Sequence, residues 1–128
     1  MILTALALSA ALAPCRSFDT RLPRPLSGWT RAGQGLDTGH SVVLPARRGE
    51  AATSVRIRKA GTFGIAIDQA GWIDIAPPRG RALRYTSEAK GPACSTISKI
   101  VRFRLQPGTY RVSASRLKGG RVKLMLVR

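Results

Sequence analysis

Short runs in which apolar and basic residues alternate dominate the chain: Val55-Arg56-Ile57-Arg58, Val101-Arg102-Phe103-Arg104-Leu105 and Arg121-Val122-Lys123-Leu124. Alternation puts successive side chains on opposite faces of an extended backbone, so each run predicts a half-buried β-strand with its basic residues turned outward. Turn residues separate such runs at short intervals, among them Pro45, Gly49, Gly61, Gly71, Pro77-Pro78-Arg79-Gly80, Gly91-Pro92, Gln106-Pro107-Gly108 and Lys118-Gly119-Gly120. That rhythm predicts an all-β sandwich or barrel. About eight strands fit, over 41–44, 53–58, 62–67, 72–76, 81–85, 97–105, 109–115 and 121–127.

Period two also assigns the faces. Phe63, Ile65 and Ile67 share one side of their strand, as do Ile73 and Ile75, Val101, Phe103 and Leu105, Tyr110, Val112 and Ala114, and Val122, Leu124 and Leu126. These form the predicted core. Residues 14–40 follow no period. They are rich in Pro, Gly and Arg, with Trp29 and Leu36 as scattered apolar points, and read as an irregular tail or wrapping segment. With 128 residues the chain has room for one core, which gives a division into 1–13, an irregular segment over 14–40 and a sandwich over 41–128.

Residues 1–13 carry no charged side chain and end in small residues, the pattern of a signal peptide cut near Ala11 to Ala13. No basic residue precedes the apolar run, and Pro14 follows the obvious cut, so cleavage one or two residues earlier is the better fit. The stretch is too short to span a bilayer as a helix, and it is followed by no other transmembrane candidate. The expected location is therefore periplasmic or extracellular. Leu12-Ala13-Pro14-Cys15 also approximates a bacterial lipoprotein box, with Pro14 where that motif has Gly, Ala or Ser. After removal of the leader two cysteines remain, Cys15 and Cys94. An even count in an exported chain favours a disulfide, with two free thiols as the alternative; there is no C-x-x-C redox motif.

The stretches Ala60-Gly61-Thr62-Phe63, Trp72-Ile73-Asp74-Ile75, Gly80-Arg81-Ala82-Leu83 and Ile100 to Val112, with its central Gln106-Pro107-Gly108-Thr109-Tyr110, resemble the bacterial pre-peptidase C-terminal type of β-sandwich. The likeness begins near Ala60 and runs to the last strand. It implies a single antiparallel jelly-roll-like sandwich acting as an accessory or binding domain, with Pro-Gly making a turn and Tyr110 entering the core. The chain is also similar to short exported bacterial proteins that share a Gly-Pro-Ala-Cys-Ser segment, here 91–95, some of which carry a homogentisate 1,2-dioxygenase label. The residues do not support that label. Such enzymes hold iron through two histidines and an acid, and His40 is the one histidine here.

Candidate chemistry is sparse. His40 follows Asp37, but no G-x-S-x-G elbow supplies a nucleophile, so His40 is expected to be a solvated or capping loop residue. The six acids are scattered, which argues against calcium. Asp68 and Asp74 flank one predicted hairpin, and salt bridges to arginines are expected of them rather than glycosidase chemistry. No glycine-rich phosphate loop is present, and neither a cofactor nor a metal is expected. Trp72 shares parity with Asp74 and so faces away from the core, where it can stack on a ring or lie against a loop.

Charge is the remaining clue. Lys and Arg total 22 against 6 Asp and Glu, a formal net charge of +16, all of it outside the leader. The expected object is a small, exported, non-enzymatic β-sandwich that binds an anionic or carbohydrate polymer at the cell envelope. The candidate binding residues are Arg56, Arg58, Arg102, Arg104, Arg121, Lys123 and Trp72. Nucleic acid is a poor candidate, since no recognition helix is present and export removes the chain from the nucleoid. Two alternatives stay open: a structural or protein-interaction domain whose arginines serve solubility, its partner an acidic protein, and an enzyme resting on His40 or Asp74. Oligomeric state is not readable from the sequence. Period two also leaves undecided whether the arginines share one sheet, and if they do not, the patch disperses.

Overall fold

The structure, a computed structural model, describes residues 14–128; the predicted leader over 1–13 lies outside the described residues. Eight strands form: β1 Val42–Pro45, β2 Ala51–Ile57, β3 Gly61–Ile67, β4 Trp72–Ala76, β5 Ser87–Lys90, β6 Lys99–Leu105, β7 Gly108–Ser115 and β8 Arg121–Val127. They pair antiparallel into two sheets, one of five strands in the order β1-β8-β3-β6-β5 and one of three in the order β2-β7-β4. Successive strands change sheet at every step except β5 to β6, which pair as neighbours within the five-stranded sheet. This is an all-β, jelly-roll-like sandwich.

The expected fifth strand is displaced. Residues 81–85 make one backbone bond to the neighbouring strand, from Leu83 N–H to the Ile75 carbonyl at 2.8 Å, and are not a strand. The chain then crosses to the other sheet, where Thr86 N–H donates to the Arg102 carbonyl at 2.7 Å and Ser87–Lys90 pairs with β6. Alternation in Arg81-Ala82-Leu83-Arg84-Tyr85 is satisfied by half-burying Leu83 alone. A ladder also needs a partner edge held in register, which β6 provides to Ser87–Lys90.

The predicted inward residues of β3, β4, β6, β7 and β8 all lie in the core between the sheets, joined by Val55 and Ile57 of β2 and by Leu36 and Leu117 from outside the strands. Tyr110 closes the arch between β6 and β7. Its hydroxyl donates to the Gln106 carbonyl and accepts from the Gln106 N–H, both at 3.0 Å, so one side chain satisfies both backbone groups of the corner. Tyr110→Phe keeps the ring and orphans both groups, and urea unfolding is expected to show a loss of about 1–2 kcal/mol. An unchanged midpoint would mean that water replaces the hydroxyl freely.

A second core sits on the outer face of the five-stranded sheet. Ala66, Ile100, Met125 and Val127 point away from the sandwich and are covered by Leu26 and Trp29 from a 3₁₀ helix, Arg24–Thr30, and by Ile97. Segment 14–40 is therefore not a loose tail. Trp29 is 0% exposed, and its indole N–H donates to Thr96 Oγ1 at 2.8 Å. The Thr96 hydroxyl donates in turn to Asp19 Oδ2 at 2.5 Å, and the Thr96 N–H to Asp19 Oδ1 at 2.8 Å. Asp19 N–H reaches the Cys94 carbonyl at 2.9 Å, and the disulfide Cys15–Cys94 ties down the start of the segment. With its sulfur committed to Cys94, Cys15 offers no thiol for acylation. Gly91 is needed at the base of this loop because a Cβ there would collide with the Ile97 carbonyl oxygen.

Candidate functional site

The seven candidate binding residues do not form one patch. Arg102, Arg104, Arg121 and Lys123 belong to the five-stranded sheet, Arg56 and Trp72 to the three-stranded one, and Arg58 follows the end of β2. On the five-stranded sheet much of the basic character is spent on structure. The Lys123 ammonium lies 4.5 Å from the Trp29 ring centroid, a cation–π contact at the rim of the second core. Arg102 folds across Gly64, where a Cβ would press on its guanidinium. Arg104 and Arg121 are exposed on this sheet.

Arg56 and Arg58 do come together, with two partners that the strand pattern did not single out. At one end of the sandwich a cleft of about 420 Å³ is lined by Arg56, Arg58, Lys59 and Arg128, with Asp37 and Thr38 on its other side. Its floor is apolar: Phe63 and Leu126 reach it, and the Arg128 guanidinium sits 5.4 Å from the Phe63 ring centroid. Sequence position explains the convergence. Arg58 and Lys59 form the turn between β2 and β3, Arg128 follows β8, and β8 pairs with β3, so three distant pieces of chain meet at one corner. Arg128 stands alone at the end of its run, where no alternation marks it.

Four cations face one carboxylate side chain in the cleft, and Asp37 is already engaged by the Thr38 N–H at 2.7 Å. The charge is not neutralised elsewhere either. Among the described residues the ion pair is Lys99–Glu88 at 3.0 Å, and the remaining Lys and Arg side chains have no acidic partner. Like charges gathered at a concave corner focus a positive potential there.

The acids take other roles than expected. Asp68 and Asp74 do not flank a hairpin: β3 and β4 lie in different sheets, so residues 68–71 are a crossing between layers. Neither makes a salt bridge. Asp68 accepts from the Lys123 N–H at 3.0 Å, and Asp74 accepts from the Trp72 indole N–H at 3.0 Å. A carboxylate can be satisfied by uncharged donors close in register, and local donors cost less side-chain entropy than a long arginine. His40 closes its own loop, its Nε2–H donating to the carbonyls of Gln34 and Gly35 at 3.0 and 3.1 Å. Among the described residues no three His, Cys, Asp or Glu side chains are placed to hold a metal ion. No helix among them is long and apolar enough to cross a membrane.

Trp72 is 48% exposed, and its bond to Asp74 fixes the ring on the outer face of the three-stranded sheet. Among the described residues no segment covers that face as the 3₁₀ helix covers the other sheet, and Ala52, Ser54, Arg56, Thr109 and Arg111 are exposed there. Small side chains floor it: Ala52, Ser113 and Asp74 are register neighbours across its three strands, and Ser115 lies opposite Trp72. The sequence matches no protein-family model and none of the curated proteins, so the reading of this surface rests on its own chemistry.

Proposed function

We propose that the protein is a small, exported, non-catalytic β-sandwich that binds an anionic polymer at the cell envelope through the cleft formed by Arg56, Arg58, Lys59 and Arg128. The observation that carries this reading is the gathering of four unpaired cations around one concave corner. The apolar pattern of residues 1–13 and the Cys15–Cys94 bridge support an exported compartment, since disulfides persist in oxidising surroundings. The jelly-roll topology agrees with a resemblance to pre-peptidase C-terminal domains, which act as accessory modules. For Arg102 and Lys123 the solubility and packing reading is preferred, because Arg102 lies over Gly64 of its own sheet and Lys123 over Trp29 of the 3₁₀ helix.

Two charge-reversal pairs test this reading on a heparin column. Arg56→Glu with Arg58→Glu alters the cleft; Arg104→Glu with Arg121→Glu makes the same change in net charge on the opposite sheet. The wild type is expected to be retained with a steep salt dependence. The cleft pair should lose at least about tenfold in affinity and the control pair less than about twofold, a split that general charge attraction does not produce. Equal elution of the two variants would leave net charge as the whole explanation and overturn the cleft.

A further inference from the structure

Resting on the reading above, we infer that the polymer is an acidic polysaccharide and that the open face of the three-stranded sheet is its second contact, with Trp72 as the platform for one sugar ring. The cleft binds anions of any kind. The outer face of β2, β7 and β4 adds features that an anion alone does not need.

A depression of about 480 Å³ lies on this face; Trp72 does not line it but is tied to two residues that do, by register to Ser115 and by its indole N–H to Asp74. Its floor is Ala52, Ser113 and Ser115, and Asp74, Arg111 and Arg47 stand around it. Arg111 also borders a second depression, of about 430 Å³, that continues along β7 to Thr109. Thr109 is the register partner of Arg56, and Arg56 lines the cationic cleft. Trp72, Arg111, Arg56 and the cleft thus follow one another along a single uncovered face. From Ser115 to Thr109 the track measures about 20 Å at the rise of an extended strand. A polymer, not a single small molecule, matches that length.

The chemistry beside Trp72 selects the class. A pyranose ring has one face of C–H groups, which packs on an indole, and a rim of hydroxyls, which are donors and acceptors together. Asp74 and Glu50 at the depression supply acceptors, and Ser113 and Ser115 supply hydroxyls of either role. The bond from Trp72 to Asp74 holds the ring in place before any ligand arrives, which lowers the ordering cost of binding. The acidic groups on the polymer then meet Arg111 and the cleft. A single-stranded nucleic acid fits less well: it stacks on successive aromatic platforms, and Trp72 is the one exposed aromatic residue on β2, β4 and β7.

The test compares oligogalacturonate, a chain of carboxylated sugars, with polyphosphate, an anion that has no ring, and with a single-stranded oligothymidylate. Affinities of all proteins are measured by titration calorimetry, and because Trp29 is buried a ligand-dependent change in tryptophan emission of the wild type and of Ala52→Leu reports Trp72 in addition. Two variants are used. Trp72→Ala removes the platform, and Ala52→Leu fills the depression while removing no contact. Both are expected to weaken oligogalacturonate at least about tenfold and to leave polyphosphate within about twofold of wild type. If both anions bind and neither variant changes oligogalacturonate binding, the saccharide assignment falls and the anion cleft stands. If neither anion binds at low salt, the proposed function falls and this inference with it. Oligothymidylate binding that exceeds oligogalacturonate and is lost in Trp72→Ala would reassign the platform to a nucleobase and overturn the inference.

Discussion

Trp29→Ala is expected to lower the stability of the protein by about 3–5 kcal/mol, the range for truncating a fully buried large aromatic side chain. Trp29 is the largest side chain of the second core, which with Leu26 and Ile97 it forms over Ala66, Ile100, Met125 and Val127. Its loss leaves a cavity over the five-stranded sheet, takes the donor from Thr96 and removes the surface under Lys123. Urea unfolding followed by circular dichroism measures the change. Trp29→Phe should recover part of the loss, since a smaller ring still fills part of the site while the bond to Thr96 stays absent. A cost below about 1 kcal/mol for Trp29→Ala would mean that segment 14–40 does not unfold together with the sandwich.

Removing the Cys15–Cys94 bridge with a paired Cys→Ala substitution should cost up to about 4 kcal/mol, because the bridge closes a loop of 79 residues. The chain-entropy model assigns that loss to the unfolded state, which becomes freer, and not to a folded contact. Reductant is therefore expected to lower the unfolding midpoint of the wild type toward that of the variant and to leave the variant unmoved. A wild type that is insensitive to full reduction would show that Asp19, Thr96 and Trp29 hold the segment without the covalent tie.

Alternation was a good guide to strands but a poor guide to what lies on them. Residues 72–76 and 121–127 are strands over the predicted spans, because period-two burial is the property that makes a strand of a sandwich amphipathic. Ser87–Lys90 gave no such sign. All four residues are exposed, and the strand exists through its backbone pairing with β6 and the Glu88–Lys99 pair. The second core did leave a trace. Leu124-Met125-Leu126-Val127 and Ile65-Ala66-Ile67 are continuously apolar, as strands buried on both faces are, and assigning a single inward parity to them hid the need for a cover. Trp29 could not be matched to that need from local pattern, since its neighbours are brought together from β3, β6 and β8. Of the candidate site, Arg56, Arg58 and the outward pose of Trp72 were readable. Lys59 and Arg128 were not, because their role comes from the pairing of β8 with β3 and not from their own surroundings in sequence.

The order in which strands pair also governs how the chain must fold. Val42 lies opposite Leu124 and Ala51 opposite Ala114, so both sheets are closed by segments from the two ends of the sandwich. The one pairing between sequence neighbours is β5 with β6, and the loop joining them carries Cys94 and Thr96, the dock for segment 14–40. A topology dominated by such distant pairings folds in about milliseconds to seconds, not microseconds. The five-stranded sheet cannot form before β8 is available, because β8 is the strand that bonds β1 to β3.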